Sequence, residues 1–465
     1  MKNKQLERTE KKPMKTKILA NTLFSLGVIF AFAAVMPVEF TFAARNASSL
    51  PHSAPRRYRL IDLGTFGGPN VYFNFSGYAN SLLDNQGIAI GGADTLIDDP
   101  LCTNTPDCFV SHASEWRHGT LIDLGTLPGG NFSQGFSRNA HGVIAGTSTN
   151  GTIDPLTGVF QEFNAVVWQD SQIINLGTLG GNHSVAQSIN NRGWVVGMAQ
   201  NAIPDPVPIF PDFLFGGLQN RAFLWQNGVM QDLGTLGGPD SFAIFVNDRG
   251  LIAGLSYTNS TPNPVTGLPT TNPFLWSRGR MQDLGTLGGN YGEPRGLNEQ
   301  GQVAGFSDLA GDLTNHAFLW ERGVMHDLGT LGGDNSDALG INNGGEVIGA
   351  ADLPSGDPDD HHAFLWRNGA MIDLGTLGST SVAVAINSRG QVVGHSRLGA
   401  ANTELQHAFL WENGGPMVDL NDLIFPSSNA VVKGDDIYIN DRGAILASGS
   451  LPNGDVHAFL LIPNR

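Results

Sequence analysis

The chain has 465 residues, 61 of them glycine, and only 15% are charged. Abundant glycine, β-branched and aromatic residues with little lysine or glutamate favour strands and turns over helices. The acidic balance, −16 overall, excludes nucleic-acid binding, because phosphate contacts need clustered Lys and Arg.

Residues 1–43 differ in kind from the rest. Lys2, Lys4, Arg8, Lys11, Lys12, Lys15 and Lys17 form a basic start. An apolar stretch from Ile18 to Pro37 follows, broken only by Asn21, Thr22, Ser25 and Gly27. Thr41-Phe42-Ala43 then supplies a small-x-small cleavage site, so residues 1–43 read as a secretory signal peptide. A retained N-terminal anchor is the alternative, and Met14 is an alternative start. Either way the bulk of the chain leaves the cytoplasm, and cleavage leaves no membrane span. Residues 44–57 form a linker and 58–465 a single repeat domain. Removing residues 1–43 leaves 19 Lys and Arg against 39 Asp and Glu, with Lys433 the only lysine. Such a surface keeps a secreted protein soluble and attracts cations or cationic partners.

Three strings recur along the rest of the chain, and internal repeats decide the architecture. The first is Asp-Leu-Gly-Thr-Leu-Gly-Gly or a near copy, starting at Asp62, Asp123, Asn175, Asp232, Asp283, Asp327, Asp373 and, degenerate, Asp419. The steps between copies are 61, 52, 57, 51, 44, 46 and 46 residues. The second is apolar-Asn-x-x-Gly-x-apolar-apolar-Gly, with Asn at 139, 190, 247, 298, 342, 387 and 440 and Asp84 in the first unit. The third is His-Ala-Phe-Leu-Trp-x-x-Gly, clean at His316, His362 and His407, with looser copies ending in Trp116, Trp168, Trp225 and Trp276. The last copy, from His457, replaces Trp with Leu461.

These linked strings resemble the HAF family of extracellular repeats over Asp62 to Leu461. The resemblance implies a secreted or surface-associated bacterial protein, and it carries no defined reaction and no catalytic residues.

Each unit offers four short strand candidates bounded by Gly or Asn. The first ends at the repeated Asn. The second is Gly-x-Val-Val-Gly, the third His-Ala-Phe-Leu-Trp, and the fourth ends in Asp-Leu-Gly. Asn-x-x-Gly fits a type I turn, and Trp-x-x-Gly makes a similar tight link. Each unit therefore reads as a four-stranded antiparallel meander, which must stack on its neighbours to bury its faces. Tyr58 to Gly64 is a fourth strand without its first three, and His457 to Ile462 is a third strand without its fourth. The two fragments complete one unit. The expectation is an all-β, eight-bladed β-propeller of four-stranded blades, closed by N- and C-terminal strands, with an open β-solenoid as the alternative. Small first-strand residues such as Ser336, Ala338 and Gly340 suit a crowded axis. The Gly-Gly links and the loops between strands two and three would share one face, and the tight turns the other.

No catalytic, cofactor-binding or metal-binding set emerges. The repeated Asp and His read as structural, because catalytic residues seldom repeat in every unit and the His gives way to Asn164, Arg221 and Asn272. The Trp residues read as core between blades. Gly-Thr-Leu-Gly-Gly lacks the spacing and the following helix of a phosphate loop. Gly-x-Ser-x-Gly and His-Glu-x-x-His are absent. Cys102 and Cys108, in a polar stretch, predict a local disulfide in an oxidising compartment and are too few for zinc.

Unrepeated features carry more functional weight. Three insertions stand out: Asp94 to Ser111, the Pro-rich Gln200 to Asn220 with Phe210, Phe213 and Phe215, and Pro354 to His362 with Asp357, Asp359, Asp360, His361 and His362. The last has the donor types of a divalent-ion loop, though a solvated turn is the simpler reading. Asn131, Asn182, Asn290 and Asp334, each after Gly-Gly, would ring one face as a possible ligand surface. The leading expectation is a secreted, non-catalytic scaffold binding an unknown protein or glycan partner outside the cytoplasm, without a cofactor. A secreted hydrolase or lyase using the central pocket, with polysaccharide as the candidate substrate, is the alternative; it needs Glu293, Asp334 or Asp337 at the axis. An envelope-assembly subunit is the third reading.

Overall fold

The structure is a computed structural model. It describes residues 57–72, 82–101, 107–205, 207, 217–264, 266–357, 360–399, 405–424 and 430–464. The expected signal peptide, nearly all of the linker, Cys102, Asp359 and the Phe210–Phe215 stretch lie outside these residues. No helix among the described residues is long and apolar enough to cross a membrane.

Period-2 patterning becomes eight four-stranded antiparallel blades. In blade 1 the strands are Gly67–Tyr72, Ala89–Asp98, Phe109–Arg117 and Thr120–Gly125, hydrogen-bonded in that order. Blades 2 to 7 repeat this order over 133–177, 180–232, 241–283, 288–327, 336–373 and 381–419. One parallel bridge, Thr271 to Tyr291, links the third strand of blade 4 to the first strand of blade 5. In blade 8 the C-terminal strands Val431–Ile439, Ile445–Ser450 and Val456–Pro463 take Tyr58–Asp62 as their fourth. This pairing covers an edge that would otherwise expose free backbone groups. From blade 2 to blade 8 successive first strands approach one another, as the small-residue pattern of Ser336 and Ala338 predicts. The chain is thus a closed eight-bladed β-propeller, and the solenoid alternative falls away.

The core lies between blades. The Phe of the third string is fully buried in blades 3 to 8, as Phe223, Phe274, Phe318, Phe364, Phe409 and Phe459. Trp168, Trp276, Trp320 and Trp411 are buried in clusters that draw on adjacent blades. Leu461 takes the Trp place in blade 8, fully buried. The second Gly of each Gly-Gly link is a matter of room: a Cβ on Gly181 would sit 2.5 Å from Gln200 Cβ.

Two local details depart from the sequence reading. The link after Trp is not a copy of the Asn turn. In blade 5 both central residues, Arg322 and Gly323, have positive φ, the type I′ geometry that matches strand twist. The degenerate copy at Asp419 forms a single helical turn, Leu420–Leu423, capped by the Asp419 side chain on Asn421 N. Asn421 then ties this turn to Val432 of blade 8 through both backbone groups.

Candidate functional site

The repeated polar residues are consumed by the architecture. Each Asn of the second string accepts the N–H groups two and four residues on, as Asn247 Oδ1 does from Arg249 at 3.1 Å and Leu251 at 3.0 Å. Its Nδ2 donates to the backbone carbonyl of the same residue in the next blade. The links run Asn139 to Asn190, Asn247, Asn298, Asn342, Asn387, Asn440 and finally Asp84 O, at 2.8–3.2 Å. Asp84 has no amide to pass the chain on. Its carboxylate instead accepts Arg138 Nη1 from blade 2 at 2.8 Å, which bridges the remaining gap. The whole tight-turn face is therefore laced into one circle.

The His of the third string and the Asp of the first meet inside each blade. His112, His316, His362, His407 and His457 lie 2.6–2.9 Å from Asp123, Asp327, Asp373, Asp419 and Asp62. Where His is replaced, the pair persists in another form: Arg221 with Asp232, Asn272 with Asp283, and Asn164 with Asn175. The same Asp accepts the Gly N–H two residues on, as Asp123 does from Gly125 at 2.7 Å. Burial alone would raise Asp123, but the His112 and Gly125 hydrogen bonds hold it below the usual carboxylate range.

The opposite face carries the hairpins between strands two and three, the Gly-Gly links and the described ends of the three insertions. Of the four sequence-predicted ligand residues, three are tied down there. Asn131 Nδ2 donates to Asp99 at 2.7 Å and Asn182 Nδ2 to Asp154 at 2.6 Å. Asn290 Nδ2 donates to Asp312 at 2.6 Å. Only Asp334 is exposed. Asn290 still borders an open groove of about 640 Å³ between blades 4 and 5, with Asn259, Thr261, Asn263, Thr270 and Asp312 on its walls. The sequence reading singled out Asn290 but missed the hairpin residues 259–270, because no repeat string marks them.

Next to this groove, the first strands of blades 5 and 6 hold the charged residues Glu293, Arg295 and Asp337. Tyr291 OH donates to Glu293 at 2.6 Å, and Arg295 pairs with Glu293 at 3.0 Å while lying 5.5 Å over the Phe306 ring. Asn315 donates to Asp337. Burial pushes Asp337 up to about 6, with Arg295 opposing and Glu293 adding to the shift. Burial, Asp312 and Asp337 push Asp308 up to about 7. In the acidic-His insertion, His362 is held by Asp373, and Asp360 N–H donates to Asp357 O. Among the described residues no group of three His, Cys, Asp or Glu is arranged to hold a metal.

The fold and its two faces define a β-propeller repeat protein. No known family and no curated protein matches the chain. Among solved structures it is similar to the acylaminoacyl peptidase of Pyrococcus horikoshii, with 11% identity over 83% of this chain and 58% of that one, at a TM-score of 0.41. It is also similar to the β-propeller domain of the Trilobed protease of Pyrococcus furiosus, with 11% identity over 77% and 98% at 0.43. TolB of Acinetobacter baumannii matches with 12% identity over 65% and 76% at 0.32. The chain spans 58% of the length of the P. horikoshii enzyme. The blade count rests on the strand pairings, not on these likenesses.

Proposed function

We propose that this propeller is a secreted, non-catalytic binding scaffold of the HAF-repeat type, acting at the cell envelope or outside it through its hairpin face. The observation that carries this reading is the division of labour between the two faces. Repeated polar groups are spent on internal ties, while the groove between blades 4 and 5 is walled by the unrepeated Asn259, Thr261, Asn263 and Thr270 beside a single carboxylate, Asp312. Such a surface suits the hydroxyls of a neutral glycan, with a polar peptide as the other partner class. Secretion and a Cys102–Cys108 disulfide belong to the same reading, and the intact mass of the mature chain before and after reduction tests the disulfide.

The test of binding is calorimetric titration with a panel of neutral oligosaccharides, on the wild type and on Asn259→Ala with Thr270→Val. Binding that the double variant abolishes supports the groove. No binding across the panel, or binding the variant leaves intact, refutes it. A second reading, hydrolase or lyase, draws on one observation: Glu293 and Asp337 sit together beside Arg295 and Tyr291 on inner strands. Polysaccharide cleavage lost in Glu293→Gln would establish it.

A further inference from the structure

One aspartate recurs at the root of the hairpin in blades 1, 2 and 3, as Asp99, Asp154 and Asp205. In each case Oδ1 accepts the N–H two residues on, from Leu101, Leu156 and Val207. The next blade supplies further partners. Asp99 receives Asn131 Nδ2 at 2.7 Å. Asp154 receives Asn182 Nδ2 at 2.6 Å and faces His183 Nε2 at 3.7 Å. Phe163 N–H donates to His183 Nδ1 at 3.1 Å, which leaves the Nε2 proton for Asp154.

At the third position the donors are gone. Pro239 stands where Asn182 does, and Asp240 stands where His183 does. Ser184 and Ser241 fix the alignment, since each accepts an Ala N–H from the preceding blade and donates to Gly177 or Gly234. Asp240 even keeps the other duty of His183: its Oδ1 accepts Asn220 N–H at 2.8 Å, as His183 accepts Phe163 N–H. A second carboxylate thus replaces a hydrogen-bond donor opposite a buried carboxylate. Asp205 is 6% exposed and Asp240 fully buried. Asp205 Oδ2 has no hydrogen-bond partner among the described residues.

A separate residue stands against the same link. The Tyr257 hydroxyl, on the second strand of blade 4, is fully buried and also without a partner among the described residues. Its backbone N–H donates to Asp240 O at 3.0 Å, which places the residue against the link. Burial raises its phenol well above the usual range, and both Asp240 and Asp205 raise it further. Among the described residues no cation pairs with Asp205, and its orphaned oxygen and the buried Tyr257 phenol are left without a partner.

We propose that Asp205, Asp240 and the Tyr257 hydroxyl bind one calcium-class divalent cation between blades 3 and 4, which takes the place that His183 fills between blades 2 and 3. The all-oxygen donor set fits a hard cation, with water completing the shell, and calcium accepts protein oxygens in flexible geometry where magnesium demands a near-ideal octahedron and keeps its waters. The bound ion pins the root of the blade 3 hairpin to the next blade.

The test uses the purified full chain treated with EDTA. Terbium luminescence and calcium calorimetry read binding, and thermal melting reads its consequence. The expected result is one tight site, a higher melting temperature with calcium than with magnesium, and affinity at least about tenfold weaker in Asp205→Asn and Tyr257→Phe. Asp240→His copies the neighbouring interface. It should abolish the calcium response and make the EDTA-treated protein as stable as the calcium-loaded wild type, which separates loss of the site from misfolding. Asp334→Asn, exposed on the same face, should change nothing. Absence of calcium binding, an equal response to magnesium, or a response that survives Asp205→Asn and Asp240→His overturns the proposal. So does a melting temperature set by pH alone, which would mean that the two carboxylates share a proton.

Discussion

Replacing Asn247 with alanine breaks one link of the turn-face circle. The side chain is 5% exposed and makes three hydrogen bonds: two accepted inside its own turn and one donated to Asn298 O at 2.9 Å. Each buried bond contributes about 1 kcal/mol net, and partners left bare cost somewhat more, so the loss should be about 3–4 kcal/mol. With an unfolding entropy of about 2.1 cal/mol/K per residue over roughly 400 residues, that loss corresponds to a melting shift of about 4 °C. Differential scanning calorimetry on wild type, Asn247→Ala and the exposed control Asn453→Ala measures it. Asn190→Ala should match Asn247→Ala, because it breaks the same three bonds one blade earlier. A loss for Asn247→Ala within about 0.5 kcal/mol of the control, the usual range for a surface change, would refute the ring as a source of stability.

Three further outcomes follow from the same geometry. Burial lowers His183 below 6.5, so its unfolded form takes up protons first, and its contribution to stability is complete above pH 6.5 and lost as pH falls below it. Burial raises Asp94, with Asp107 beside it, to about 8, and Asp308 and Asp337 to about 7 and 6. Their contribution is complete below the unfolded value of 3.8 and lost as pH rises through about 6 to 8. Melting temperatures from pH 5 to 9 should therefore show Asp94→Asn flattening the alkaline arm, with the acid arm unchanged. Deleting residues up to Gly64 removes the strand Tyr58–Asp62 and bares the edge of Val456–Pro463; light scattering should show association that the full chain lacks. At the blade 4–5 junction Pro273 has no N–H to offer, and Gly292 stands where other blades carry the accepting Ser. A Cβ on Gly292 would sit 2.9 Å from Pro273 Cδ. Gly292→Ser alone should cost more than about 1 kcal/mol, and Pro273→Ala should recover most of it, a coupling that a double-mutant cycle reads.

The architecture was legible because each string marks a fixed place in the blade. Gly-Gly marked a close backbone crossing, Ala-Phe the core between blades, and the split fragments at Tyr58 and His457 the closing blade. What the strings did not reveal was who their polar partners were. Asn-x-x-Gly is explained locally by the turn it caps, so nothing in it announces that Nδ2 reaches the next blade. The His–Asp pairs could have been found by covariation within the chain, since Asn164 stands opposite Asn175, the one copy of the first string without Asp. The hairpin face was half legible. Asn131, Asn182 and Asn290 lie on the expected face, but their amides serve hairpin aspartates that periodicity does not reveal, and the groove depends on unrepeated residues from Asn259 to Thr270.

Closure of the ring is tested most directly by native-state amide hydrogen exchange. In a closed ring the turn amides of Gly87, Gly142, Gly193, Gly250, Gly301, Gly345, Gly390 and Gly443 open together, with similar protection in blades 1 and 8 as in blades 4 and 5, because every turn has a neighbour on both sides. Protection that decays from the middle of the chain toward both ends is the signature of an open stack of repeats, and it would contradict a closed propeller.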